Sequence, residues 1–396
     1  MLTALRENGE LLNLAIPQKK STLLDMKNNE QFRCPVCKRK MMIRLGEKRI
    51  WHFSHEKGSI CRADFEPESM YHLFGKKQLY QQLVNQSLNV ELETYLPHLK
   101  QRPDLFVTNL SPPIAIEYQC ATIPTDLLFK RTTTFLKAGI LPYWILGKKR
   151  LNNVSNHLYR FDELSVQALC WIERSNSSPF LLYYCPLTSA FTMLYGIFPF
   201  STNTFFALHE IFSLNRFKLP FFLKNPSLRF PNEFVDLWIQ KLTNARLYLH
   251  VNKQASVISL KRMFLNRGIT PCLFPLEAGM PLKHGIWFET PAYVWQSVFL
   301  VEILHPFPLD TSFEFRDVYR GFVTHMPIYK IKIRKGLNMP DSHFSYALMD
   351  YLCWLSKIGI LKKTGKATFR KKKEIRFPNT IEGVEDKVRQ MILSCR

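Results

Sequence analysis

At 396 residues the chain is too long for one ordinary domain and suits two or three. Its 54 Lys and Arg against 32 Asp and Glu leave a net charge of +22, which points to nucleic acid or an anionic membrane face. The 31 Phe, 15 Tyr and 7 Trp set it apart from ribosomal or histone-like basic proteins, and nine scattered cysteines argue against a secreted disulfide framework and for a reducing cytosol.

The N-terminus has no basic segment leading into an apolar one, so no signal peptide is expected. Residues 2–16 predict a hairpin, turning at Glu7-Asn8-Gly9-Glu10. Cys34-Pro-Val-Cys37 is a CxxC knuckle, followed by a hairpin expected to turn at Gly46, then His52-Phe-Ser-His55, then Cys61. Zinc takes four N or S ligands in a tetrahedron, and a knuckle supplies two of them from one turn. Cys34 and Cys37 with His55 and Cys61 are the expected set, and His52 competes with His55 for the imidazole place. A redox CxxC opens a helix after a strand, which the following Lys38-Arg39-Lys40 does not suggest. With Arg44, Lys48 and Arg49 these cations form either a solvated face or a phosphate-contacting ribbon.

Residues 66–87 predict a helix, with Pro67 in its first turn beside Glu66 and Glu68. Its apolar face is Met70, Leu73, Phe74, Tyr80, Leu83 and Val84. Glu68, His72 and Lys76 share a neighbouring stripe, which taken alone reads as a surface salt-bridge ladder. Strands are expected at 90–96, from Asp104, and over 114–120, where Glu117 and Gln119 point one way and Ile114, Ile116 and Tyr118 the other. A carboxylate in such an apolar strand costs several kcal/mol unless a cation pairs with it, and a divalent metal ion is one such partner. A helix over 124–138 ends at Gly139 and leads to a strand at 143–146, so the strands it joins should be parallel.

Asp104 and Glu117, joined by Glu68, form a carboxylate set of the kind that holds Mg²⁺ or Mn²⁺ for phosphodiester hydrolysis. Past 150 the pattern is mixed and aromatic, with strands at 180–184 and 191–195 and helices at 234–242, 256–266 and 292–304. The stretch 179–213 is apolar but interrupted, and it reads as core rather than a membrane span. A helix at 344–358 precedes a basic hairpin over 360–377, the layout of a winged-helix end, expected either to lie on DNA or to be a solvated surface. The expected segments are 1–65, 66–150, 151–340 and 341–396.

CPVC, WHFSH and Cys61, followed by Glu68-Ser-x-x-His72-x-x-x-Lys76, Arg102-x-Asp104 and Ile116-Glu117-Tyr118-Gln119-Cys120, together resemble the competence protein CoiA family, closely over 1–150 and loosely beyond. The resemblance implies an α+β restriction-endonuclease-like core of the PD-(D/E)xK class behind a zinc ribbon-like module, then a mainly helical region. It implies action in the cytoplasm on incoming single-stranded or branched DNA alongside a recombinase. Asp104 and Glu117 are then the motif carboxylates, Gln119 stands where the motif has lysine, and Glu68, His72 and Lys76 are the helix contribution. Lys76, Lys130 or Arg131 is expected to supply the missing positive charge. The alternative is a non-catalytic DNA-binding mediator that assists recombinase loading; a third is an interaction protein whose carboxylates serve only folding.

Overall fold

The computed structural model describes residues 1–47, 49–56, 61, 68–170, 179–219, 230–337 and 343–393. Lys48, Glu66 and Pro67 lie outside them. The chain forms two compact units. One is Met1–Asn152 with Glu163–Leu194 and His209–Asn225, the other Asn153–Asp162 with Tyr195–Leu208 and Pro226–Arg396.

The first unit opens with β1 (Thr3–Leu5) and β2 (Leu11–Asn13), antiparallel with Leu5 opposite Leu11. Gly9 takes the left-handed φ of 84° that the turn requires. α1 (Lys20–Asn29) had no sequence signal, because Leu23 alone is buried and no apolar stripe forms. β3 (Phe32–Arg33), β4 (Lys40–Arg44) and β5 (His52–His55) complete a five-stranded sheet in the order β2-β1-β3-β4-β5. The opening hairpin and the cysteine module are thus one sheet over one core that includes Leu12, Leu23, Phe32, Ile43 and Phe53.

α2 spans Met70–Val84, and the backbone N–H of His72 donates to the Ser69 side chain at 3.2 Å to cap it. Its buried face is Leu73, Gly75, Lys76, Leu79 and Leu83, while Phe74 and Val84 turn outward. The expected apolar face is therefore rotated, because Gly75 rather than Phe74 meets the sheet. β6 (Val90–Leu92), β7 (Leu105–Val107) and β8 (Ile114–Gln119) pair antiparallel in succession. The strand expected over 90–96 stops at Leu92 because Glu93 takes a φ of 53° and leaves the ladder. α3 (Thr125–Lys137) then crosses to β9 (Leu141–Gly147), which runs parallel to β8 with Ile114 opposite Leu141. The sheet continues past residue 150, since Phe180–Cys185 lies parallel beside β9. Each strand needs the next to satisfy its backbone groups, so this central sheet is a rigid platform for side chains at its ends.

In the second unit Leu158–Arg160 pairs antiparallel with Thr204–Phe206. Helices Asn232–Leu247, Ala255–Leu265, Ala292–Val298 (continued by a π-helical Phe299–Leu304), Phe315–Ile328, Ser345–Lys357 and Val384–Leu393 pack around Trp238, Trp295, Phe322 and Tyr351. The predicted basic hairpin is Leu361–Lys363 paired with Thr368–Lys371, and Ser312–Glu314 joins it as a third strand. Among the described residues no helix is long and apolar enough to cross a membrane.

Candidate functional site

Among the described residues, two clusters of metal-capable side chains form in the first unit. In the N-terminal sheet, Cys34 and Cys37 sit on the turn between β3 and β4. The Cys34 N–H donates to Arg39 O at 2.9 Å, and the Val36 N–H points at Cys34 Sγ at 3.4 Å. β5 pairs with β4 so that His55 stands opposite Met41, beside the knuckle, and His52 opposite Arg44, away from it. Cys37 Sγ is 3.4 Å from His55 Nε2, and Cys34 Sγ is 4.0 Å from Cys61 Sγ. Ligands on a tetrahedral zinc at ~2.0–2.3 Å would be roughly 3.4–3.8 Å apart, so this N/S donor set fits the ion. Burial pushes the Cys34 thiol up to about 12, with Cys61 adding to the effect. His52 lies outside this group, and its Nδ1 pairs with Ile50 O at 2.9 Å. Purified protein should therefore carry zinc that His55→Ala removes and His52→Ala retains, measured as metal content per chain.

The second cluster gathers where α2 crosses the starts of β7 and the end of β8. Glu68, His72 and Asp104 bring their ligand atoms within 4.8 Å of one another. Asp104 precedes β7 and its Oδ2 accepts from Tyr118 N at 2.9 Å and pairs with His72 Nε2 at 3.2 Å. Lys76 lies beneath, with 0% of its side chain exposed. Its Nζ pairs with Glu93 Oε1 at 2.6 Å, with Asp104 Oδ1 at 3.3 Å, and closely with Glu68. The stripe on α2 is therefore a buried network and not a surface ladder. Burial works against the charge on Lys76, but Glu68, Glu93 and Asp104 outweigh it and hold the amine well above the usual lysine range. Burial likewise opposes ionisation of Asp104 and Glu68, and Lys76 with His72 offsets it, so both stay below the ordinary carboxylate range.

Glu93 carried no sequence signal as a site residue. Its carboxylate accepts from Leu2 N at 2.9 Å, Thr3 N at 3.0 Å and Thr3 Oγ1 at 2.8 Å, tying β1 to the network. Its reversed backbone, not its residue type, aims it there. Glu117 is only 4% exposed and pairs with Arg131 of α3 rather than joining the Glu68–His72–Asp104 group. Arg131 also donates to Arg102 O at 3.1 Å. Gln119 turns away and donates to Ala121 O at 2.9 Å. Lys130 is exposed on α3. The positive charge at the site comes from Lys76 and Arg131 on two helices and from the N-terminal amine of Met1, 2.7 Å from Glu68 Oε2, and Lys76 acts on the carboxylates from below.

Burial, with Arg131 opposing and Asp104 reinforcing it, pushes Glu117 up to about 7. A carboxyl raised in the fold contributes stability that is present below its ordinary value of 4.5 and lost as pH rises through about 7. Without added divalent ions, wild type should lose stability between about pH 5 and 7, and Glu117→Gln should flatten that slope in urea melts. A Glu117→Gln profile as steep as wild type would contradict this.

Residues 16–64 match the competence protein CoiA N-terminal domain, 68–227 its nuclease-like domain and 235–384 its C-terminal domain. The chain is 31% identical over 345 residues to competence protein CoiA of Bacillus subtilis (strain 168), covering 86% of this chain and 89% of that protein. No solved structure matches. The three domain matches, in order and together with a relative aligned over most of both chains, show that the chain belongs to the competence protein CoiA family.

Proposed function

We propose that the protein processes incoming DNA during natural competence as a Mg²⁺- or Mn²⁺-dependent phosphodiester nuclease of the PD-(D/E)xK class. The observation that carries this reading is the convergence of Glu68, His72 and Asp104 over the buried Lys76, within a domain similar to a nuclease-like one. Hard oxygen donors beside an imidazole suit a divalent ion, which would supply Lewis acidity and an activated water when bound. Glu68 and Asp104 would hold it, with Glu117 close by. Lys76 keeps both ligands ionised and fixed in position. Exposed Lys149, 4.9 Å over the Tyr71 ring next to His72, is placed to meet a substrate phosphate. Cys34, Cys37, His55 and Cys61 would hold a structural zinc in a ribbon-like module, and the C-terminal hairpin with its two preceding helices is winged-helix-like. The substrate would be single-stranded or branched DNA in the cytoplasm, handled alongside a recombinase.

One observation favours a second reading, a non-catalytic DNA-binding mediator of recombinase loading. Gln119 faces Ala121, and the protein's own Lys76 and Arg131 already compensate the carboxylates. Chromosomal Asp104→Asn separates the two. The nuclease reading expects transformation frequency to fall at least tenfold with protein level unchanged, and undiminished transformation would favour the mediator.

A further inference from the structure

We propose that the three-stranded sheet of the second unit is a docking ribbon for a DNA phosphate backbone, distinct from the carboxylate cluster. This rests on the reading of the protein as DNA-processing, but not on cleavage. The central strand Thr368–Lys371 pairs with Ser312–Glu314 on one side and Leu361–Lys363 on the other. Its inward side chains are fixed: Phe369 and Phe313 are buried, and Lys371 donates to His305 O at 3.2 Å and Phe307 O at 2.8 Å and pairs with Glu374 at 2.7 Å. The ribbon is therefore held rigidly from beneath.

The outward row is different. Lys362 stands directly opposite Arg370, and Arg370 opposite Ser312. Like charges facing each other across strands destabilise a sheet, and here Lys362, Lys366, Arg370 and Lys373 are exposed with no ion pair among the described residues. The nearby acids are paired with other cations, Asp310 with Lys372, Glu374 with Lys371 and Glu314 with Arg316, although the charge of Arg370 also reaches Asp310. Such a row is costly to the fold alone and favourable against a partner with repeated negative charge.

A protein partner fits less well. Between 361 and 376 no large apolar side chain is exposed to serve as an anchor. The preceding helix Ser345–Lys357 is not a basic reading head: Asp350 faces His284 at 2.8 Å, and Lys357 is the helix's one basic residue. The contact is thus to phosphates and independent of base sequence.

The test uses the full zinc-loaded chain without added Mg²⁺ or Mn²⁺, fluorescent 30-nucleotide single-stranded and duplex DNA, and a salt series. The variant replaces Lys362, Lys366, Arg370 and Lys373 by serine. Its affinity is expected to fall at least tenfold, with the slope of log K on log salt shallower by up to ~0.9 per lost contact on duplex or ~0.7 on single strands. Its melting temperature should equal or exceed that of wild type. With no Mg²⁺ or Mn²⁺ added the readout is binding alone, which keeps this inference separable from the nuclease reading. Unchanged affinity and slope in the serine variant would overturn it, as would loss of binding to phosphatidylglycerol vesicles with DNA binding intact. If the variant does not fold, amide exchange of wild type decides: DNA must protect residues 361–373, and no protection there overturns the proposal.

Discussion

Replacing Lys76 by alanine is expected to destabilise the first unit by about 3–5 kcal/mol, because it strands buried carboxylates without their cation. Glu93 is 2% exposed and loses its partner at 2.6 Å, and Asp104 loses one as well, while Glu68 is left with the N-terminal amine at 2.7 Å. Residual compensation from His72 on Asp104 is partial, since that ring reaches only Oδ2. At this size such a loss moves the melting temperature by roughly 6–20 °C. Lys76→Met, which keeps most of the volume, should be nearly as damaging, since the deficit is charge and not packing. Adding Glu93→Gln to Lys76→Met should restore part of the loss. A Lys76→Ala melting temperature within about two degrees of wild type would show that the network is not what holds α2 to the sheet.

Gly75→Ala is the second large effect, and its sign runs against helix propensity. In an exposed helix interior alanine is better than glycine by about 1 kcal/mol. At Gly75 a Cβ would stand 2.2 Å from Cε1 and 2.7 Å from Cζ of the Tyr118 ring. That ring is wholly buried, and its hydroxyl donates to Tyr184 O at 3.1 Å, so it has little room to retreat. The cost of overpacking is about 1–3 kcal/mol or more. Because Tyr118 N also donates to Asp104, displacement of β8 should weaken divalent-ion binding too. Tyr118→Leu in the Gly75→Ala background should recover part of the stability, and an unaltered Gly75→Ala protein would contradict the close approach of α2 to β8.

Local signals carried much of this architecture. Asn8-Gly9 marks the first turn, the alternation through Ile114–Gln119 marks β8, and the helix between two apolar strands implies the parallel β8–β9 pair. Glu68, His72 and Lys76 were legible as candidates because their helical spacing puts them on one stripe, and Asp104 because it is a carboxylate opening an expected strand. That this stripe is buried was not legible, since its partners are Glu93 just past β6, Asp104 just before β7 and the amine of Met1. Glu93 shows why most plainly: its role depends on a backbone reversal and on acceptance from Leu2, 91 positions away. The choice of His55 over His52 depends on the β4–β5 register, and spacing alone leaves both open. Gln119 was expected beside the carboxylates because it shares alternation with Glu117; the end of the strand frees it to bond Ala121 instead.

The central claim is that the carboxylate cluster cuts DNA with a divalent ion. The most direct measurement incubates purified, zinc-loaded protein with end-labelled single-stranded and branched DNA, with Mg²⁺ or Mn²⁺, beside Asp104→Asn. Wild type should release shorter products only when the ion is present, and Asp104→Asn should reduce their rate at least a hundredfold while melting as a folded protein. Absence of cleavage by wild type across these substrates and both ions, or equal cleavage by Asp104→Asn, would contradict the account.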